Sequence, residues 1–201
     1  MLYSFIHKLR HLMTIFMVFG GAALYAQIRV EGLSYLDKKP ISVEIKDGKI
    51  IRVDHIEKLS DESHPVFISP GLIDNQVNGF AGVTFNDTHQ ILNKEGIRKI
   101  TSELWKKGVT TYFPTLTSSS REIMVRTLAL LAGERNDEML RGSIPGYHLE
   151  GPYLSPIDGY RGAHPLKYVR DPDWNEFMDM YKAADGRILT VTIAPELKRS
   201  E

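Results

Sequence analysis

Hydrophobic and polar residues alternate from Ile41 to Lys46. Ile41, Val43 and Ile45 fall on one side, and Ser42, Glu44 and Lys46 on the other. A period of two is that of a strand. Asp47-Gly48 follows, and the β-rich run Lys49–Val53 comes next, so 41–53 predicts a hairpin with a positive φ at Gly48. Residues 28–36 predict a further strand, and the polar stretch 57–65, ending in Pro65, a surface loop. From Val66 the pattern becomes strand then helix, repeated. Apolar β-rich runs occupy 66–77, 109–116, 143–149 and 188–194. Between them, Ile97, Ile100, Leu104 and Trp105 have helical spacing within 92–107, with Gly108 at the stop. Ser119 and Glu122 form a capping-box pattern ahead of an apolar run in 119–132. Trp174, Phe177, Met178 and Tyr181 share one helical face within 173–184. Repeated β-α units imply parallel strands, hence an α/β sheet or barrel. About four such units cannot close an eight-stranded barrel.

Composition narrows the chemistry. Of 201 residues, 42% are hydrophobic and 25% charged, the balance of a globular protein. Basic and acidic residues number 25 each, so charge gives no reason to expect nucleic acid or an anionic membrane as partner. With no cysteine, disulfides, thiolate metal sites and cysteine nucleophiles are excluded. Residues 1–26 hold no acid; Lys8 and Arg10 precede an apolar run from Met13 to Ala26. That is the layout of a signal peptide, and the run is short for a membrane span. An uncleaved anchor, or a start at Met13 or Met17, fits the same residues. The expected organisation is a signal-peptide-like segment at 1–26, strands of a small β-domain at 27–65 and the β-α units at 66–201.

Three motifs carry candidate chemistry. In Pro70-Gly71-Leu72-Ile73-Asp74-Asn75-Gln76-Val77-Asn78-Gly79, strand alternation puts Asp74, Gln76 and Asn78 on one side. Polar side chains near the C-terminal end of a strand are what a barrel active site uses, although a polar strand end before a Gly turn looks the same. In Gly146-Tyr147-His148-Leu149-Glu150-Gly151-Pro152, His148 and Glu150 share a face. An inward carboxylate is costly unless it meets a cation, a metal or backbone donors. His148 reads equally as a hydrogen-bonded core histidine. Arg161-Gly162-Ala163-His164-Pro165 lies on the loop that follows, where His164 can hydrogen-bond a hydroxyl.

PGLIDNQVNG, HLEGPYLSP, GAHP and TIAPE at 192–196, in that order, resemble the N-acetylglucosamine-6-phosphate deacetylases of the amidohydrolase superfamily. The resemblance covers 28–201 and implies the first half of such an enzyme. It implies part of a (β/α)8 TIM-type barrel preceded by strands of a small β-sandwich. It also implies metal-dependent hydrolysis of N-acetylglucosamine 6-phosphate to glucosamine 6-phosphate and acetate. Carried across, Glu150 matches the metal-ligand carboxylate, and Ala163 and His164 the pair that contacts the sugar. Gln76 and Asn78 stand where many amidohydrolases have an H-x-H pair. They read, with His148, as residues that support the metal's ligands or as vestigial metal positions. Neutral amides are weak ligands for a transition metal, so one divalent ion, zinc or similar, is expected rather than two.

The family's catalytic aspartate and further histidine ligands have no counterpart here, since His164 is the last histidine of the chain. The resemblance therefore assigns no catalytic residue to these 201 residues. It implies an incomplete metal site, inactivity of the chain alone and a requirement for a C-terminal half. The expected partner is an amino-sugar phosphate, and a family-type homodimer is compatible with the resemblance. Alternatives are a non-catalytic remnant or interaction fragment, or another amide-cleaving amidohydrolase such as a dihydroorotase or an aminoacylase; HLEGP with GAHP argues against the last. For localisation, the N-terminal segment favours export, whereas a phosphorylated sugar favours the cytoplasm. Export would make an unphosphorylated N-acetyl sugar the better substrate.

Overall fold

A computed structural model of the chain describes residues 27–86 and 92–200. The signal-peptide-like segment 1–26 lies outside the described residues. The chain divides into two compact units between Pro70 and Gly71.

The first unit is one four-stranded sheet, with β1 (Ile28–Ser34), β2 (Pro40–Lys46), β3 (Lys49–His55) and β4 (Phe67–Ile68) in the order β3-β2-β1-β4. The β2–β3 hairpin turns through Asp47 (φ 53°) and Gly48 (φ 71°), so both turn residues are left-handed. Two positive φ angles define the hairpin turn whose twist matches that of the strands. No second sheet of a sandwich occurs in this unit among the described residues.

The β-rich run at 66–77 is divided. Phe67 and Ile68 pair with Leu33 and Ser34 of β1, whereas β5 (Leu72–Val77) enters the sheet of the second unit. Pro70-Gly71 makes the break. Proline cannot donate to a ladder, and at Gly71 a Cβ would lie 1.9 Å from Thr110 Oγ1.

In the second unit a small hairpin, β6 (Gly79–Phe80) and β7 (Val83–Thr84), follows β5. Then come α1 (Lys94–Trp105), β8 (Val109–Thr117), α2 (Arg121–Glu134), β9 (Tyr147–Glu150), a 3-10 turn (Leu166–Tyr168), α3 (Trp174–Ala183) and β10 (Ile188–Thr192). β5, β8, β9 and β10 form an α/β sheet of parallel strands in sequential order. The order never reverses, unlike that of a doubly wound sheet. The sheet is not closed: β5 and β10 are its edges.

Each helix starts on a side-chain cap. Asn93 accepts from Gly96 N at 2.8 Å, and Asp173 from Glu176 N at 2.9 Å. At α2 the cap is Ser120, which accepts from Ile123 N at 3.3 Å, and not Ser119. The carbonyl of Ser119 is instead taken by Arg170 Nη1 at 3.1 Å, which holds Ser119 outside the helix.

One face of the sheet packs on the helices. Tyr112, Leu116, Tyr147 and Leu149 bury against Ile97, Ile100, Leu104, Met124, Leu128, Leu131 and Met180. Asp137 ties the segment after α2 back to α1 through Arg98 (2.5 Å) and Lys94 (3.0 Å), and these partners hold its carboxyl down at about 2. Among the described residues no helix is long and apolar enough to cross a membrane.

Two buried tyrosines differ in one respect. The Tyr112 hydroxyl lies 2.8 Å from Thr101 Oγ1, whereas that of Tyr147 is buried without a hydrogen-bond partner. Burial pushes both phenols up to about 12. An orphaned buried hydroxyl forfeits its hydration for nothing, so removing it relieves about 1 kcal/mol. Tyr147→Phe is therefore expected to raise the urea midpoint, and Tyr112→Phe to lower it by leaving Thr101 one partner short. A lower midpoint for Tyr147→Phe would contradict the assignment.

Candidate functional site

The opposite face of the parallel sheet is polar. Thr117, Glu150 and Thr192 lie side by side at the C-terminal ends of β8, β9 and β10. One pair earlier, Thr115 sits opposite His148. Period two thus sends Leu116, Leu149 and Val191 to the helices and their polar neighbours to the other side. Parallel strands put all these C-terminal ends at one edge of the unit, where open α/β sheets bind their ligands.

A cleft of about 600 Å³ opens there. It is lined by Asn78, Thr117, Glu150 and Thr192 from the strand ends, and by Leu154 and Tyr160 through Pro165 from the loop after β9. Asn78, Glu150, Ala163 and His164 come from three separate motifs, and the fold brings them to one cavity. Glu150 is half-buried, and its Oε2 accepts from Asn78 Nδ2 at 2.9 Å. Asn78 is held in turn by Asn86. The Asn86 amide donates to the carbonyls of Asn78 (3.4 Å) and Thr115 (3.3 Å), and its oxygen accepts from Thr117 N at 2.5 Å.

Gln76 is placed differently. It is exposed, its backbone N–H bonds the Asp74 carboxylate at 3.0 Å, and it does not line the cleft. The register of β5 against β8 shifts between Asp74 and Val77, so simple alternation does not carry through to Asn78. His148 is buried under the strand ends. Its Nδ1 lies 3.3 Å from Thr115 Oγ1 and its Nε2 2.8 Å from Thr192 Oγ1. Burial pulls its pKa below the usual histidine value, against an opposing pull from Glu150. With both ring nitrogens engaged by threonines, His148 acts as a bridge between strands.

The loop wall is built on Arg161 and Arg170. Arg161 donates to the carbonyl of His164 at 2.7 Å and to Asp158 at 3.0 Å, while its Nε is buried without a partner. Arg170 grips the buried Glu176 with Nε (3.0 Å) and Nη2 (2.6 Å) and also reaches the carbonyls of Ser119 and Tyr168. The hydroxyl of Tyr153 donates to the same carboxylate at 3.3 Å.

Glu150 is the one carboxylate lining the cleft, and among the described residues no group of three or more His, Asp or Glu could hold a metal ion. Asn78 spends its amide N–H on Glu150, and the His148 nitrogens face threonines. The residues present do not form a complete metal site.

Thr117, Thr192 and Asn86 lie outside the three motifs, and Arg161, inside the third, has no role that the motif itself reveals. Thr115/Thr117 and Thr190/Thr192 repeat with the period of the His148/Glu150 pair, a signal that marks three adjacent polar strand ends. Nothing local marks Asn86.

A sequential parallel sheet with helices on one face and a polar cleft over its strand ends is an α/β unit with a ligand-site layout at its C-terminal edge. Comparison with known proteins is specific: the chain is similar to N-acetylglucosamine-6-phosphate deacetylases. It is 32% identical over 187 residues to the Mus musculus enzyme, and 32% over 133 residues to that of Vibrio furnissii. The crystal structure of the deacetylase from Thermotoga maritima matches with a TM-score of 0.65 at 29% identity, covering 86% of this chain and 44% of that one. The mouse match covers 90% of this chain, which spans about 42% of the length of that relative. No protein-family model matches the chain.

Proposed function

We propose that the chain forms part of the active site of a deacetylase acting on N-acetylglucosamine 6-phosphate. In that reaction the amide C–N bond breaks, and water supplies the hydroxyl of acetate and a proton to the freed amine. The observation that supports the reading is the meeting of Asn78, Glu150, Ala163 and His164 in one cleft of about 600 Å³, a volume suited to a sugar phosphate. Glu150 is the proposed metal contact, held in place by the Asn78 amide. His164 and the backbone at Ala163 are the proposed sugar contacts. The open sheet is read as an arc of a TIM-type barrel. Because the described donors fall short of a metal site, hydrolysis is assigned to a larger assembly in which further polypeptide supplies the remaining groups.

Binding and turnover test different parts of this reading. N-acetylglucosamine 6-phosphate is expected to shift the NMR signals of Asn78, Gly151 and His164 in the purified chain, and unphosphorylated N-acetylglucosamine to shift them less. No change at these residues under saturating sugar phosphate would sink the reading. Residues 1–201 alone are expected to release no acetate with any added divalent metal. Acetate release that Glu150→Ala abolishes would show that this chain needs nothing more. The incomplete donor set also fits a second reading, a non-catalytic remnant, for which sugar phosphate leaves the cleft signals unmoved.

A further inference from the structure

Ser118 follows directly on β8 and is buried, with 4% of its surface exposed. Its Oγ lies 2.9 Å from His164 Nδ1, and its backbone N–H points at the same nitrogen, 3.4 Å away. A backbone N–H can only donate. Nδ1 therefore accepts and carries no proton, and the proton of the neutral ring sits on Nε2. Among the described residues no hydrogen bond engages Nε2, and His164 lines the cleft. Arg161, bound to the carbonyl of the same residue at 2.7 Å, fixes the backbone from which the ring projects.

The surroundings leave room for this arrangement. Gly151 stands over Ser118, and a Cβ there would lie 2.3 Å from the serine Oγ. The hydroxyl occupies space that only a glycine at 151 leaves free.

We infer that Ser118 is a positioning residue: it holds His164 as the Nε2–H tautomer, so that the cleft presents a fixed hydrogen-bond donor to an oxygen acceptor of its ligand. The acceptor class is a hydroxyl or amide carbonyl, as an N-acetyl sugar carries. The ligand rests on the deacetylase reading; the tautomer does not. The two are separable because the ring state is measured without substrate or turnover.

The experiment follows the ring nitrogens of His164 by long-range 1H–15N NMR in the full chain, at alkaline pH where the ring is neutral. Wild type is expected to show one tautomer, with Nδ1 at the unprotonated position and Nε2 protonated. Ser118→Ala keeps the backbone N–H at 3.4 Å but loses the hydroxyl at 2.9 Å, so both nitrogens are expected to move part of the way toward the averaged positions of a ring exchanging between tautomers, and Ser118→Thr, which keeps a hydroxyl, to restore the wild-type pattern. A protonated Nδ1 in wild type, or identical ring signals in wild type and Ser118→Ala, would overturn the inference. The wild-type arm is decisive even if threonine proves too large beside Gly151. For N-acetylglucosamine 6-phosphate, Ser118→Ala is expected to weaken binding about threefold to tenfold, the loss of one oriented hydrogen bond. A locked tautomer with no sugar binding would leave the positioning role standing and remove the deacetylase reading. Sugar binding with an unlocked ring would do the reverse.

Discussion

Arg170→Ala is expected to destabilise the protein by about 3 kcal/mol, because it strands a buried carboxylate. Glu176 is only 7% exposed, and Arg170 is its bidentate partner, at 2.6 and 3.0 Å. The same guanidinium reaches the carbonyls of Ser119 and Tyr168. It thereby joins the end of the cleft loop, the start of α2 and the first turn of α3. Removing it leaves the Tyr153 hydroxyl and the Asp173-capped helix start facing an unpaired charge. Urea unfolding of the variant measures the loss. Replacing both partners by apolar residues, as in Arg170→Met with Glu176→Leu, is expected to recover most of it, since a buried pair contributes less than its broken half costs. A single variant within about 0.5 kcal/mol of wild type, the range of an ordinary surface change, would show that the pair is incidental.

Gly151→Ala is expected to cost about 3 kcal/mol and to disturb the cleft as well. Two causes add. Gly151 has φ of +96°, a conformation that strains any residue with a Cβ. The added carbon would also lie 2.3 Å from Ser118 Oγ and 3.2 Å from Leu154 Cδ1, inside a packed turn. The strain can be relieved only by moving Ser118 or the start of the cleft loop, and either displaces His164. Thermal unfolding should show a lower midpoint, and the His164 ring signals should shift with it. Gly142→Ala is the control. Its φ of +92° carries similar strain, but a Cβ there meets nothing within 4 Å. Equal losses at the two positions would mean that the contact with Ser118 contributes nothing.

Local chemistry explains which parts of the fold could be read from the chain. Alternation around Ile41 and the Asp47-Gly48 turn specify β2 and β3, because strand period and turn dihedrals are properties of neighbouring residues. The helix at Lys94–Trp105 follows from the spacing of Ile97, Ile100 and Leu104, all of which are buried. The capping pattern points to Ser119 but the cap is Ser120, since what distinguishes the two is an arginine about fifty positions later. The run at 66–77 looked continuous because both halves are β-rich, yet each half finds its ladder in a different unit. Pro70-Gly71 was the visible warning.

The site divides in the same way. Glu150 and Asn78 meet at 2.9 Å because parallel strands bring their C-terminal ends to one edge. Gln76 departs from them because the register of β5 shifts before Val77, which alternation cannot foresee. The pairing of Ser118 with His164 spans 46 residues and leaves no trace in either segment.

The side-by-side placement of Thr117, Glu150 and Thr192 acts as a ruler. Three strand ends stop at one height, so three side chains reach one plane. Losing a single residue within β8, β9 or β10 would turn that strand's terminal side chain from the cleft toward the helices. Lengthening the loops that follow would leave the plane intact. Chemical variety at this site is thereby channelled into point changes at three fixed heights and into the free length of the segments above them.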